Sequence, residues 1–187
     1  MNEILQSVEA FTDKAHGDQM RKYAPQDRYI VHPMRVMRIC QAYTQSLPVL
    51  AAAILHDVLE DTAVTKGELS AFLSHIMPAR DAERTLQLVV ELTDVYVKNA
   101  YPQWNRRKRK AAELKRITQN SPEAQTIKYA DILDNCQGMS EQDTDFAPVF
   151  LRECRQLLKS MDKGNPELKQ RAETVVSQEL VALEQRR

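Results

Sequence analysis

The segment AAAILHDVLEDT, residues 51–62, sets four polar groups into an otherwise apolar run. His56 and Asp57 are adjacent, Glu60 follows His56 by four residues, and Asp61 follows Asp57 by four. Residues four apart share a helix face, so a helix here puts all four side chains along one edge. A charge in a buried helix is costly unless something pairs with it. Three carboxylates this close also repel one another and disfavour each other's ionised forms. A bound cation resolves that repulsion, and so would arginine partners. The combination points to a metal-binding or catalytic role.

Three other stretches hold chemistry in reserve. His32 precedes Pro33 at a predicted helix start; a His-Pro pair alone is more often a turn feature. In IKYADILDN, residues 127–135, Lys128, Asp131 and Asn135 fall at i, i+3 and i+7 and share a helix face. A solvated stripe would read the same way. Trp104 and the run Arg106-Arg107-Lys108-Arg109-Lys110 form the densest charge in the chain. That run is either a solvated helix face or a set of donors for phosphate.

Taken in order, His32, His56-Asp57 and Asp131 give the H…HD…D order of the HD phosphohydrolase superfamily, which the chain resembles. The strings AHGDQMRK, RYIVHP, ILHDVLEDT, ELTD and IKYADILDN are similar to the hydrolase domain of the RelA/SpoT family and its small stand-alone relatives. Those domains remove the 3′-pyrophosphate from (p)ppGpp. The resemblance implies that His32, His56, Asp57 and Asp131 are metal ligands and that Glu60 and Asp61 orient or activate the attacking water. It implies nucleotide contacts from Arg21, Lys22 and Asn135, and an approach of the basic segment, Arg106 and Arg109 included, to the 5′-phosphates. Two imidazoles and two carboxylates favour Mn²⁺ or Fe²⁺, and admit Zn²⁺. Four ligands on an octahedral ion leave two positions open, one for water and one for a phosphate oxygen. Two rival readings remain: an HD-type nucleotide phosphomonoesterase, and a non-catalytic sensor that binds a nucleotide or metal. The Glu60-Asp61 pair argues against the sensor, since nothing else there requires buried acids.

The elements that must position these residues read as helices. Ile4, Leu5, Val8, Phe11 and Ala15 recur at helical spacing, predicting a helix over 3–16 closed by Gly17. Residues 18–31 are expected to be an irregular loop. Pro33 opens a helix to about Tyr43, and Pro48 opens a nearly all-apolar helix that carries His56 and Asp57. Thr65 and Glu68 have capping-box spacing, predicting a helix to about His75. Further helices are expected from an Asp81 cap to about Val95, over 104–119, from the Ser121-Pro122-Glu123 start to Cys136, over about 146–162 and over about 166–185. The fold expected is an all-α, single HD-domain helical bundle over 1–187. Its motif-bearing core lies at about 10–137 and its C-terminal helices at about 146–185. The apolar stripe of the last helix could close the bundle or meet a second copy in a homo-oligomer.

Bulk properties narrow the partners. Lys+Arg and Asp+Glu number 26 each in 187 residues, so no global field draws in nucleic acid or an anionic membrane. A small-molecule nucleotide is the expected partner. Cys40, Cys136 and Cys154 form no CxxC pair, which speaks against a zinc ribbon or a disulfide framework. The first residues lack the basic-then-apolar order of a signal peptide, and no apolar run reaches the ~18 residues of a membrane span. The expected location is the cytoplasm.

Overall fold

The computed structural model describes residues 3–22, 24–142 and 145–186. In chain order the elements are α1 (Glu3–His16), β1 (Met20–Arg21), β2 (Ala24–Arg28), α2 (Val31–Gln41), α3 (Leu47–Leu55) and α4 (Val58–Asp61). They continue with α5 (Lys66–Ile76), α6 (Ala79–Leu92), α7 (Arg106–Ile117) and α8 (Pro122–Cys136). The chain closes with α9 (Met139–Gln142), α10 (Ala147–Ser160) and α11 (Pro166–Gln185). No described helix is long and apolar enough to cross a membrane.

Burial explains which helix lies at the centre. Every residue from Val49 to Leu55 is buried, so α3 has no face left for water. It is surrounded by α1, α2, α6 and α8. The second buried axis is α8, which packs against α2, α6, α10 and α11. In α11, Leu168, Ala172, Val176 and Leu183 are buried, so its apolar stripe closes the bundle of its own chain. The three cysteines are free and buried.

Local signals set the ends of the helices. The Thr65 hydroxyl and the Glu68 carboxylate form a reciprocal capping box on α5. Ser121 accepts from Ala124 N–H at the start of α8, and Asn165 accepts from Leu168 N–H at the start of α11. Gly17, which follows α1, has φ +57, and Gly138, which follows α8, has φ +74. That left-handed conformation carries no penalty for a residue without Cβ.

The structure differs from the sequence expectation in several places. Within the segment expected to be an irregular loop, β1 and β2 pair as a small antiparallel hairpin, with Met20 opposite Arg28 and a register irregularity between Met20 and Arg21. Helix α2 starts two residues before Pro33, with Ile30 as its N-cap. Pro78, not Asp81, precedes the first turn of α6. The apolar helix does not run unbroken through His56 and Asp57; it ends at Leu55 and resumes at Val58. Asp57 is the hinge of that break, with φ −98 and ψ −5.

Candidate metal centre

The break between α3 and α4 aims the His56 and Asp57 side chains at two neighbouring helices. His32 comes from the first turn of α2 and Asp131 from the middle of α8. His32 and His56 are 2 % and 3 % exposed and Asp131 6 %, so these polar groups sit inside the bundle. His32, His56 and Asp57 each offer a ligand atom within 4.8 Å of the others. Asp131 Oδ1 lies 3.2 Å from His32 Nε2 and 3.6 Å from His56 Nε2.

The outer nitrogens of the two imidazoles are already engaged. His56 Nδ1 is 2.8 Å from the carbonyl oxygen of Ala53, which can only accept, so Nδ1 carries the hydrogen. His32 Nδ1 is 2.7 Å from Asp134 Oδ2 and donates likewise. In the neutral rings both Nε2 lone pairs then face the carboxylates. Asp57 Oδ2 is 3.0 Å from His56 Nε2 and 3.7 Å from His32 Nε2. His56 Nε2 is nonetheless buried and makes no hydrogen bond among the described residues. Lone pairs facing carboxylate oxygens repel unless a proton or a metal cation stands between them. Two imidazole nitrogens, two carboxylates and an orphaned buried Nε2 fit a divalent ion with mixed N/O preference.

Electrostatics point the same way. Burial works against charge on His56, but Asp57 and Asp131 outweigh it and raise its pKa well above the ordinary value. Burial also works against ionised Asp131, yet Lys128 and the two imidazoles hold its pKa well below the ordinary value. The site therefore concentrates ionised acids around a place for positive charge.

Two more acids flank the cluster. Glu60 Oε2 accepts the Asp94 N–H at 3.0 Å. Withdrawal from bulk water and the nearby Asp94 carboxylate push the Glu60 pKa up to about 7. Asp61 faces elsewhere. Its Oδ2 lies 2.9 Å from the Tyr29 hydroxyl, which also reaches Asp57 Oδ2 at 2.6 Å. Burial and Asp57 raise the pKa of Asp61. His16 stacks on the Tyr29 ring, with centroids 4.3 Å apart.

A cavity of about 760 Å³ opens beside the cluster. Asp57, Glu60, Asp131 and Asn135 line one side and Arg106, Arg107, Lys110 and Lys128 supply cations. Its apolar wall comes from residues such as Leu114, Ile117, Phe150 and Leu157. Lys128 Nζ is 2.8 Å from Asp131 Oδ2. Arg106 makes a two-point contact with Glu153, at 2.9 and 2.6 Å. Lys110 lies 3.2 Å from Asp94.

The structure thus brings His32, His56, Asp57 and Asp131 together, with Glu60, Asn135 and Arg106 at the cavity. Asp61, Arg21, Lys22 and Arg109 are not among the residues that line it. The Arg109 guanidinium is tied to the Trp104 carbonyl. Lys22 is exposed, with Nζ 5.3 Å from the Phe146 ring centre. Sequence reading named Arg107 and Lys110 only as members of the basic run and did not single out Tyr29, Asp94 or Asp134. Asp94 closes the ELTD string, so that signal was present.

Residues 29–136 match the HD domain family. The chain belongs to the HD-domain family. The chain is 32 % identical over 143 residues to the human guanosine-3′,5′-bis(diphosphate) 3′-pyrophosphohydrolase MESH1, covering 74 % of this chain and 72 % of that protein. It is 24 % identical over 153 residues to a probable guanosine-3′,5′-bis(diphosphate) 3′-pyrophosphohydrolase of Mycoplasma pneumoniae. That alignment covers 79 % of this chain and only 20 % of the longer protein. The solved structure of a metazoan SpoT ortholog that hydrolyses ppGpp superposes with a TM-score of 0.79 at 22 % identity, over 95 % of this chain and 96 % of that one. The HD fold is therefore shared through the C-terminal helices as well.

Proposed function

We propose that this HD-domain chain is a metal-dependent hydrolase that removes the 3′-pyrophosphate of (p)ppGpp or a closely related nucleotide. The observation that carries the reading is the convergence of His32, His56, Asp57 and Asp131, with both Nε2 atoms aimed inward, at a cavity holding four cations. The similarity to MESH1 supports the choice of substrate. These four residues would hold the ion, and Mn²⁺ is the proposed occupant, with Fe²⁺ or Zn²⁺ as alternatives. A divalent cation held there supplies positive charge to phosphoryl oxygens and makes water a stronger acid.

The chain's own groups carry out the remaining work. Glu60, with a pKa near neutrality, is placed to take a proton from the attacking water. The Tyr29 hydroxyl bridges the Asp57 and Asp61 carboxylates, at 2.6 and 2.9 Å, which fixes the Asp57 carboxylate. Lys128, Lys110, Arg106 and Arg107 offset the charge of a pyrophosphate. Arg106 must exchange its Glu153 partner for a phosphate to do so. The apolar wall gives room for the less polar part of a nucleotide. The proposed setting is the cytoplasm, with a nucleotide and not a nucleic acid as partner.

The test is incubation of Mn²⁺-loaded protein with a nucleotide panel, followed by anion-exchange separation of the products. The reading expects intact pyrophosphate from a 3′-pyrophosphorylated guanosine nucleotide. Orthophosphate as first product, or turnover only of nucleoside monophosphates, would replace it with the phosphomonoesterase reading. Tight nucleotide binding without turnover would favour the sensor.

A further inference from the structure

Arg21, on the hairpin, does not line the cavity that the proposed substrate would enter. Its guanidinium forks onto two neighbouring residues of α8. Nη1 donates to Asp134 Oδ2 at 2.9 Å, and Nη2 donates to Asn135 Oδ1 at 2.9 Å. Each of those residues in turn holds one of the proposed ligands. Asp134 Oδ2 accepts from His32 Nδ1 at 2.7 Å, and Asn135 Nδ2 donates to Asp131 Oδ1 at 2.6 Å. The Asn135 amide orientation follows from chemistry. The group facing a carboxylate must be the NH₂, and the group facing a guanidinium must be the oxygen. One side chain from the hairpin therefore braces ligands from two helices, His32 of α2 and Asp131 of α8. The brace is shielded, with side-chain exposures of 14 % for Arg21 and 7 % for Asp134.

We propose that Arg21, Asp134 and Asn135 form an outer brace that sets the cation affinity of the HD site, with Arg21 as its positioning residue. This rests on the reading of the four-residue cluster as a cation site. Asp134 fixes the hydrogen of His32 on Nδ1, leaves Nε2 for the ion and makes the ring more basic. Arg21 compensates the Asp134 charge, which would otherwise add to an already acidic pocket. It also ties Asp134 and Asn135 into one rigid unit. A lysine cannot replace it, because a single ammonium cannot reproduce the planar two-point fork.

The brace is tested by one set of measurements. Mn²⁺ affinity of the metal-free full chain is measured by titration calorimetry without nucleotide. The variants are Arg21→Lys, Asp134→Asn and Asn135→Ala, with circular dichroism and Tm to identify folded protein. The brace expects each variant to weaken Mn²⁺ binding by about 10–100-fold. The Arg21→Lys/Asp134→Asn pair should lose less than the sum of the singles, because both cut the same connection. Wild-type Mn²⁺ affinity in the folded variants overturns the brace. If Arg21→Lys fails to fold, Asp134→Asn and Asn135→Ala decide by their Mn²⁺ affinities. Failure of the wild-type chain itself to bind Mn²⁺ would instead sink the cation site, a different result from variants that bind as wild type does.

Discussion

Glu60→Gln separates an enzyme from a metal-holding scaffold. The glutamine carbonyl can still accept the Asp94 N–H that Glu60 Oε2 accepts at 3.0 Å, so the local structure survives. What disappears is the basic site. Burial and Asp94 place the Glu60 pKa near 7, close to the value a general base needs at neutral pH. Loss of a positioned base costs about 10²–10⁴-fold in rate, so kcat should fall by at least about 10²-fold. Mn²⁺ content and KM should change little, because the interaction lost belongs to the transition state. The base works ionised, so wild-type kcat/KM rises with pH up to the Glu60 pKa and then levels. A bound cation draws that limb to or below about pH 7, and the limb should vanish in the variant. Stability has the opposite sign. A carboxyl with a raised pKa binds its proton more tightly in the folded state. Its contribution is full below the ordinary pKa of 4.5 and is lost as pH rises through about 7. Above pH 7 the glutamine variant should therefore melt at the same temperature as wild type or higher. The assay is kcat, KM, metal content and Tm on one preparation across pH 5–9. Near-wild-type kcat with full metal would refute the catalytic role. A lowered Tm with normal turnover of the folded fraction would make Glu60 a structural partner.

His56→Ala and Asp57→Ala should each abolish stoichiometric Mn²⁺ binding together with activity; elemental analysis finding full occupancy in both would refute the ligand assignment. Gly164→Ala would place a Cβ 2.5 Å from the Tyr129 ring and 2.8 Å from Thr126 N. Overpacking of that kind costs about 1–3 kcal/mol, or roughly 2–4 °C of Tm per kcal/mol in a chain of this size. An unchanged melting curve would show that the 161–165 loop does not bear on α8.

Much of the frame was legible because local chemistry dictates it. The caps at Thr65 and Ser121 and the glycine at 17 act within a few residues, so a sequence window contains both partners. The break at Asp57 was not legible. Both sides of it are right-handed, and an apolar run gives the same pattern whether or not one turn loosens. The hairpin was hidden because APQDR, residues 24–28, has no apolar alternation, and only backbone pairing defines it. The basic run shows the same limit. Arg106 to Lys110 are all cationic, so no periodicity tells which face meets the cavity. The turn of α7 presents Arg106, Arg107 and Lys110 and sends Arg109 back to the Trp104 carbonyl. Asp134 was invisible for a stronger reason. Its role is set by what lies opposite, His32 at a separation of 102 residues and Arg21 at 113. Of the four candidate ligands, only His56 and Asp57 escape this limit by cost, because they stand in an apolar run where a charge demands a partner. His32 and Asp131 carry no such mark in their own segments and enter through the H…HD…D order of the family the chain resembles. The outer residues can be any donor or acceptor of the right length, so the brace is visible only in coordinates.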